Sequence, residues 1–277
     1  MAIEPGNIRV AVCGAAGMMG KEVVKAVMDA EGLSLVAAID HKNSGVDSGT
    51  QAGTVSNGIR LETSLADALS RTKPDVVVDF TLPSGLMANL RTAIGLGVSP
   101  VVGTTGLSAS DLTELESLSD ENKRLGIFIA PNFAIGAVLM MQFAEKAAAY
   151  MPDVEIIELH HDRKLDSPSG TALLTAQRIG TARASAGVVP LAVQAGLIEK
   201  SPGARGARDS NTGDVPVHSV RLPGFVAHQE VIFGAPGQIL TIRHDSLDRK
   251  SFMPGVILAV RKVVALTGVV IGLEALL

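Results

Sequence analysis

Short runs of β-branched residues alternate with helix-forming segments along the first half of the chain. The predicted strands are 8–13, 33–40, 75–80, 98–102 and 126–130, and the predicted helices are 18–30, 64–70, 83–96 and 110–122. Strands that alternate with helices are joined by right-handed crossovers, so they lie parallel in one open sheet with helices on both faces. The sequence therefore predicts an α/β domain built on a doubly wound parallel sheet.

A different pattern begins after Phe133. Helices are predicted at 134–150 and 170–181, on either side of a strand at 154–161. Three more strand-like segments lie close together, at 215–221, 225–233 and 238–244. Because the connections between these three segments are short, we expect antiparallel pairing. The pattern predicts a second, smaller α+β domain.

Two further segments complete the predicted layout. The polar stretch 200–214 is long for a loop, which indicates either a functional flap or a simply mobile segment. A final helix at 251–267 is expected to pack against the first domain. We therefore assign 1–133 with 246–277 to the first domain and 134–245 to the second.

A glycine-rich turn, GAAGMMG at 14–20, connects the first predicted strand to the first helix. A dinucleotide pyrophosphate binds at such a turn, because small residues let backbone N–H groups approach the phosphate and the helix N-terminus favours negative charge. Asp40 ends the second strand about 20 residues further on, where a carboxylate accepts hydrogen bonds from the ribose. Together these features predict a Rossmann-type domain that binds a nicotinamide cofactor.

The residues after Asp40 leave the choice between NADH and NADPH open. Asp40 would repel the 2′-phosphate of NADPH, whereas Lys42 or a protonated His41 would attract it. Both residues are equally well explained as ordinary loop residues. Use of both cofactors is consistent with this sequence.

Two more loops follow later strands, at the carboxyl edge of the sheet where ligands bind in doubly wound folds. Gly103, Thr104 and Thr105 would present amides and hydroxyls to the nicotinamide ribose. The segment 130–133, APNF, would line the nicotinamide pocket. Each loop alone is also compatible with plain turn chemistry.

The composition excludes several other classes of protein. A net charge of −4 argues against a nucleic-acid-binding protein, which carries a basic surface. The hydrophobic tail 254–277 is interrupted by Arg261 and Lys262, so it is too short to span a membrane. Cys13 is the only cysteine, and the short polar N-terminus carries no visible signal peptide. A cytoplasmic protein is expected.

The stretch ELHHDRKLDSPSGT at 158–171 combines two histidines, two basic side chains and the start of a helix. A substrate carboxylate at that helix N-terminus would meet the N–H groups of Gly170 and Thr171, with a hydroxyl from Thr171 or Ser169. Lys164 or Arg163 would add charge-assisted hydrogen bonds. The stretch predicts a binding site for a small acid.

Hydride transfer to an electron-poor ring leaves negative charge that must be protonated. A histidine can supply the proton near neutral pH, and Lys164 can stabilise the charge or donate the proton itself. Adjacent strand residues point to opposite faces, so His160 and His161 face one ligand only if the strand has ended. A metal site is disfavoured, because Cys13 is distant in sequence and the acids lack standard ligand spacing.

Five motifs together resemble the dihydrodipicolinate (4-hydroxy-tetrahydrodipicolinate) reductase family: GAAGMMG, DFT at 79–81, GTTG, APNF and, most specifically, HHxxK followed by PSGTA. The resemblance implies NADH- or NADPH-dependent reduction of 4-hydroxy-tetrahydrodipicolinate, through its dehydrated form, to tetrahydrodipicolinate on the diaminopimelate route to lysine. It also implies a homotetramer formed through the sheets of the substrate domain. Many bacterial members carry Arg where this chain has His41, so the resemblance does not imply a firm NADPH preference.

The resemblance also implies residue roles. His160 would be the proton donor or acceptor and Lys164 a proton donor. The substrate, a small dicarboxylate, would be held by His161, Gly170 and Thr171, with Ser169 added from its place at the helix start. The cofactor would be held by Gly14, Ala15, Ala16, Gly17, Met18, Met19, Asp40, Gly103, Thr104, Thr105, Ala130, Pro131, Asn132 and Phe133.

Two other interpretations compete with this one. The first is a related reductase, such as an aspartate dehydrogenase or a sugar oxidoreductase. A semialdehyde dehydrogenase is excluded, because it would need a nucleophilic cysteine beside the substrate, whereas Cys13 lies under the glycine turn. The second is a nicotinamide-sensing protein without turnover, which would need the glycine turn but not the 158–171 stretch.

Overall fold

The computed structural model describes residues 7–122, 125–190 and 215–277, which form two compact units. The first unit is Met1–Ala134 with Phe252–Leu277, and the second is Ile135–Ser251. The predicted loop 200–214 lies outside the described residues.

The first unit is a parallel sheet with helices, as the sequence predicted, and it has seven strands where five were predicted. Its strands are β1 (Ile8–Cys13), β2 (Leu33–Ile39), β3 (Leu61–Glu62), β4 (Val76–Asp79), β5 (Ser99–Val102), β6 (Ile127–Ile129) and β11 (Val269–Ile271). Its helices are α1 (Met18–Asp29), α2 (Ser48–Ala52), α3 (Leu65–Thr72), α4 (Pro83–Gly95), α5 (Ala109–Glu121) and α8 (Met253–Val263), with a short 3₁₀ helix at Leu273–Leu276. A second 3₁₀ helix, Arg249–Phe252, includes the last residues assigned to the second unit and the residue at which the first unit resumes.

The strand order β11-β6-β5-β4-β1-β2-β3 places β1 and β4 side by side at the point where the order reverses. All four residues of β4 are buried, which shows that both faces of the sheet are covered. The carboxyl ends of β1 and β4 therefore form the edge at which a doubly wound sheet binds ligands.

The second unit is a four-stranded mixed sheet with two helices in its described part. The strands are β7 (Asp153–His160), β8 (Val217–Arg221), β9 (Ala227–Ala235) and β10 (Gln238–Ser246), and the helices are α6 (Ile135–Ala148) and α7 (Gly170–Ala186). The strand order is β10-β9-β7-β8. On β9, Gln229, Val231 and Phe233 are buried at alternate positions and face the core.

One predicted pairing is wrong in a way that matters for the site. β9 pairs antiparallel with β10 as expected, but β8 pairs in parallel with β7 and does not contact β9 as a neighbour in the sheet. The short connection 222–226 crosses the end of β7, where the N–H of Leu222 donates to the carbonyl of His160 at 3.1 Å. A connection this short usually joins strands that are neighbours in the sheet, but here it joins β8 to β9, and β7 lies between them.

The tail also differs from its prediction. The helix expected at 251–267 ends at Val263, and Val269–Ile271 adds the edge strand β11 beside β6. The short elements α2 and β3 were not predicted, and α7 extends five residues beyond the predicted end at 181. Within the described ranges, each helix is too short or too polar to cross a bilayer.

Candidate active site

The glycine turn lies between β1 and α1, with Gly14 at φ +76°. A Cβ at Gly14 would lie 2.5 Å from the carbonyl oxygen of Phe80, and a Cβ at Gly20 would lie 2.0 Å from the carbonyl oxygen of Gly14. The turn is therefore tight enough to require glycine at both positions. Gly17 and Met18 are exposed, and no side chain caps the start of α1. The free N–H groups of this first helical turn fit a pyrophosphate.

Asp40 follows β2 and points back to the turn. Its Oδ2 accepts a hydrogen bond from the N–H of Ala16 at 2.9 Å, and its Oδ1 accepts from the N–H of Lys42 at 2.8 Å. The carboxylate thus holds the turn in place, and each oxygen keeps a lone pair for another donor. His41 and Lys42 are exposed beside it.

Two side chains at the carboxyl end of β4, those of Asp79 and Phe80, contact the Gly103–Thr105 loop and hold it in place. A Cβ at Gly103 would lie 2.1 Å from the ring of Phe80, so a side chain there would displace that ring. The hydroxyl of Thr104 is buried and donates to Asp79 Oδ1 at 2.9 Å, so this hydroxyl is already engaged. Thr105 is exposed. Of the two threonines, only Thr105 presents a side chain to solvent.

Asp79 organises this edge and was not predicted as a site residue. Its carboxylate is 1% exposed and accepts from the N–H and the hydroxyl of Thr81, from Thr104 and from Asn89. Burial, together with the charges of Asp79 and Asp40, raises the pKa of the Cys13 thiol well above its usual value. Cys13 is therefore a buried, protonated core residue and not a nucleophile.

The 130–133 segment presents mainly its backbone and Pro131. Phe133 is 2% exposed, and its ring lies 5.7 Å from Phe80 and 6.0 Å from Phe128 between ring centroids. Its side chain belongs to the core, so only its main chain is available to a ligand. Asn132 Oδ1 accepts from the N–H of Ala134 at 2.9 Å, which fixes the turn that precedes α6.

The predicted acid site lies in the second unit, where β7 ends at His160. Glu158 and His160 share one face of β7, and Glu158 Oε2 lies 2.5 Å from His160 Nδ1. The Glu158 side chain is fully buried, and that of His160 is 14% exposed. His161 follows the strand end and is half-buried, so the condition for both histidines to serve one ligand is met.

Arg221 closes the buried side of this site from β8. Its Nη2 donates to Glu158 Oε1 at 2.7 Å and its Nη1 to Oε2 at 2.9 Å, a two-point contact with the carboxylate. Burial by itself would raise the pKa of Glu158, but hydrogen bonds from His160, Arg221 and Ser219 outweigh it and lower the pKa to about 2. Glu158 is therefore ionised at neutral pH.

The loop between β7 and α7 carries Lys164 and ends at the helix cap. Lys164 Nζ lies 2.8 Å from Asp166 Oδ1, and the carbonyl of Asp166 accepts from Arg221 Nη2 at 2.7 Å. Ser169 is buried, its N–H donates to Glu158 Oε1 at 3.3 Å, and its Oγ accepts from the N–H of Ala172 as the helix cap. Gly170, the first helical residue, is exposed.

The structure thus brings together most of the predicted residues of the acid site. His160 and Ser169, at the start of α7, contact the buried carboxylate of Glu158. Lys164 pairs with Asp166, whose carbonyl accepts from the same Arg221 that binds Glu158. Sequence reasoning missed Glu158 and Arg221 as site residues. The period of two along a strand would have placed Glu158 beside His160, but no local signal points to Arg221, which is 63 residues away. Among the described residues, no cluster of three or more His, Cys, Asp and Glu side chains could hold a metal ion.

Comparison with known proteins finds relatives over the whole chain. Profiles described as dihydrodipicolinate reductase, N-terminus and C-terminus, match residues 8–133 and 136–277. A 4-hydroxy-tetrahydrodipicolinate reductase of Moorella thermoacetica is 50% identical over 271 residues, 98% of each chain. One of Desulfitobacterium hafniense is 50% identical over 273 residues, 97% of this chain and 98% of the relative. A solved dipicolinate-bound dihydrodipicolinate reductase from Paenisporosarcina sp. TG-14 has a TM-score of 0.81 and 44% identity, covering 98% of this chain and 99% of that one.

Proposed function

Since the chain belongs to the dihydrodipicolinate reductase family, we propose that it reduces 4-hydroxy-tetrahydrodipicolinate to tetrahydrodipicolinate with NADH or NADPH, a step in lysine and diaminopimelate biosynthesis. The observation that carries the proposal is the buried Glu158, which contacts His160 and the start of α7, with Lys164 in the loop between β7 and α7. A related sugar or aspartate dehydrogenase and a sensor without turnover are not supported by relatives of this identity and coverage.

His160 and Lys164 are the proposed proton carriers. Loss of water from the substrate gives the unsaturated ring, and its reduction requires one hydride and one proton. The reduced cofactor supplies the hydride. His160 uses Nδ1 to contact Glu158, which leaves Nε2 to hold the proton for the ring. Lys164 stabilises the developing negative charge or replaces that proton.

The substrate carboxylates are assigned to the start of α7. The N–H groups of Gly170 and Thr171 are the first of a 17-residue helix, and helix N-termini bind anions. His161 is proposed to add a further donor. Ser169 contributes by capping the helix, because its hydroxyl is buried and already accepts from Ala172.

The cofactor is assigned to the first unit. The N–H groups of Gly14 and Gly17 donate to the carbonyls of Ile39 and Gly14 and shape the turn, so the amides at the start of α1, from Met18 onward, are assigned to the pyrophosphate. Asp40 has lone pairs for the ribose. Thr105, Pro131 and Asn132 are the accessible parts of the other two loops. We retain 1–133 with 246–277 as the proposed cofactor domain and 134–245 as the proposed substrate and oligomerisation domain.

The assembly and location are proposed on narrower grounds. Ile239 is 77% and Leu240 is 40% exposed on the edge strand β10, which is unusual for apolar residues and suits contact with another subunit. We propose a homotetramer, to be tested by analytical ultracentrifugation. The cytoplasm is the proposed location, because the chain's only cysteine is a buried thiol.

The function is tested by a reductase assay with freshly prepared substrate, titrated separately with NADH and NADPH. We expect H160N and K164A each to lower kcat by about 10²- to 10⁴-fold, the usual contribution of a positioned acid. The Kd for NADH should stay within about twofold of the unmodified enzyme, since the glycine turn is untouched. H218N and K250A, which change exposed residues of the same unit, serve as controls. Full activity in both H160N and K164A would contradict the proposal.

A further inference from the structure

Glu158 and Arg221 surround the buried side of His160 but carry no role in the proposed reaction. We propose that they are positioning residues, which hold the His160 imidazole in the single tautomer whose Nε2 is available to the substrate. This inference rests on the proposed function, in which His160 carries the proton. The buried ion pair of Glu158 and Arg221 would then orient a catalytic side chain in addition to holding the loop that contains Asp166.

The tautomer follows from the charge of Glu158. A carboxylate whose pKa is about 2 has no proton at neutral pH, so it can only accept a hydrogen bond. Nδ1 of His160, which lies 2.5 Å from Glu158 Oε2, must therefore be the protonated nitrogen. Nε2 then alternates between a lone pair and an N–H as the imidazole gains and loses its proton. Only one nitrogen remains for the chemistry.

Arg221 fixes the carboxylate in turn. A buried carboxylate contacted by one histidine could rotate about its side-chain bonds, but the two-point contact with the guanidinium prevents this. The same guanidinium donates to the carbonyl of Asp166 at 2.7 Å. Arg221 thereby links the His160 partner to the loop that carries Lys164, so one side chain sets the placement of both proposed proton carriers.

Strand β7 also carries Glu155, which forms a second histidine–glutamate pair with His218 of β8, and this pair lacks these features. Glu155 Oε2 lies 2.7 Å from His218 Nε2, but the two side chains are 48% and 36% exposed, and no arginine contact to Glu155 occurs among the described residues. Because it has the same chemistry on the same strand, E155Q is a matched control for E158Q.

The kinetic test compares E158Q with E155Q. We expect E158Q to lower kcat by about 10- to 100-fold, by analogy with carboxylates that orient metal-bound histidines. The Kd for NADH should be unchanged, and E155Q should behave as the unmodified enzyme. In an H160N background, E158Q should cause no further loss, because a residue that acts through His160 has nothing left to position. Multiplicative losses in the double variant, or an unchanged kcat in E158Q, would overturn the inference.

A spectroscopic test separates positioning from simple structural support. Enzyme labelled with ¹⁵N-histidine contains six imidazoles, and the His160 signals are those lost in H160N. We expect Nδ1 of neutral His160 to be protonated in the unmodified enzyme and in E155Q, and a mixture of tautomers in E158Q. Identical His160 spectra in E158Q would contradict the proposal. If E158Q does not fold, R221K replaces it, because it keeps the charge and removes the two-point contact.

The outcomes also separate this inference from the proposed function. If H160N is fully active, the proton role of His160 fails and the positioning role fails with it. If H160N is inactive while E158Q retains full activity and a folded spectrum, the proposed function stands and only the positioning role is wrong.

Discussion

The two units build their proposed binding sites from different materials. In the first unit the site is a backbone turn that requires glycine, because a Cβ at Gly14 or Gly20 would collide with main-chain atoms. In the second unit the site consists of charged side chains around one buried carboxylate, Glu158. Substitutions that add a side chain to the glycine turn should therefore disrupt the first site, and substitutions that remove a charged side chain should disrupt the second.

The largest expected effect is steric and falls on the first unit. In G14A the new Cβ would lie 2.5 Å from the Phe80 carbonyl oxygen, at a φ of +76° that disfavours alanine. We expect a loss of more than about 3 kcal/mol in the free energy of unfolding, because strain at such a φ adds to a backbone clash. The measurement is urea unfolding, together with NADH binding by calorimetry.

The control for G14A is G53A. Gly53 also has a positive φ, +81°, but an added Cβ would meet nothing within 4 Å. It should therefore show only the cost of the backbone conformation, roughly 1–2 kcal/mol. If G14A and G53A are equally stable and bind NADH equally well, the first unit does not depend on a tight backbone turn.

The same contrast explains how much the sequence could predict. The glycine turn and Asp40 belong to one strand–helix–strand unit, β1-α1-β2, so their pattern is visible in a short stretch of sequence. For the acid site, the sequence predicted only residues that lie close together in the chain, at 158–171. Arg221 reaches Glu158 because β8 lies beside β7 and not beside β9, and the short connection at 222–226 predicted the opposite order.

The local sequence patterns also did not predict which loop side chains are buried. Thr104 and Phe133 lie in loops of the right kind, yet the structure commits the Thr104 hydroxyl to Asp79 and the Phe133 ring to the core. The last helix was predicted at 251–267, whereas it ends at Val263, and Val269–Ile271 forms the edge strand β11, since three β-branched residues suit an available sheet edge.

The second expected effect is electrostatic and falls on the second unit. The pKa of Glu158 is lowered from 4.5 to about 2, so the folded state holds the carboxylate ionised where the unfolded state would protonate it. Stability from this group is fully present above pH 4.5 and is lost as the pH falls towards 2. The loss amounts to about 3 kcal/mol.

Unfolding by urea at a series of pH values between 5 and 2 tests this. The difference in unfolding free energy between the unmodified enzyme and E158Q should shrink as the pH falls, because glutamine does not titrate. E155Q should keep nearly the same slope as the unmodified enzyme, since Glu155 is half exposed. A pH-independent difference for E158Q would mean that its charge does not stabilise the second unit.

The smallest effect concerns Gly170, the one place where the second unit is proposed to use backbone amides. An added Cβ there would meet no protein atom within 4 Å, so G170A should keep or slightly raise stability, by about 0.4–1 kcal/mol. The methyl group would instead occupy space beside the proposed carboxylate site. We expect KM for the substrate to rise roughly tenfold, equivalent to about 1.4 kcal/mol, with little change in kcat. The same glycine-to-alanine change would then damage the fold at Gly14 and only ligand binding at Gly170. An unchanged KM in a stable G170A enzyme would place the substrate away from the α7 N-terminus.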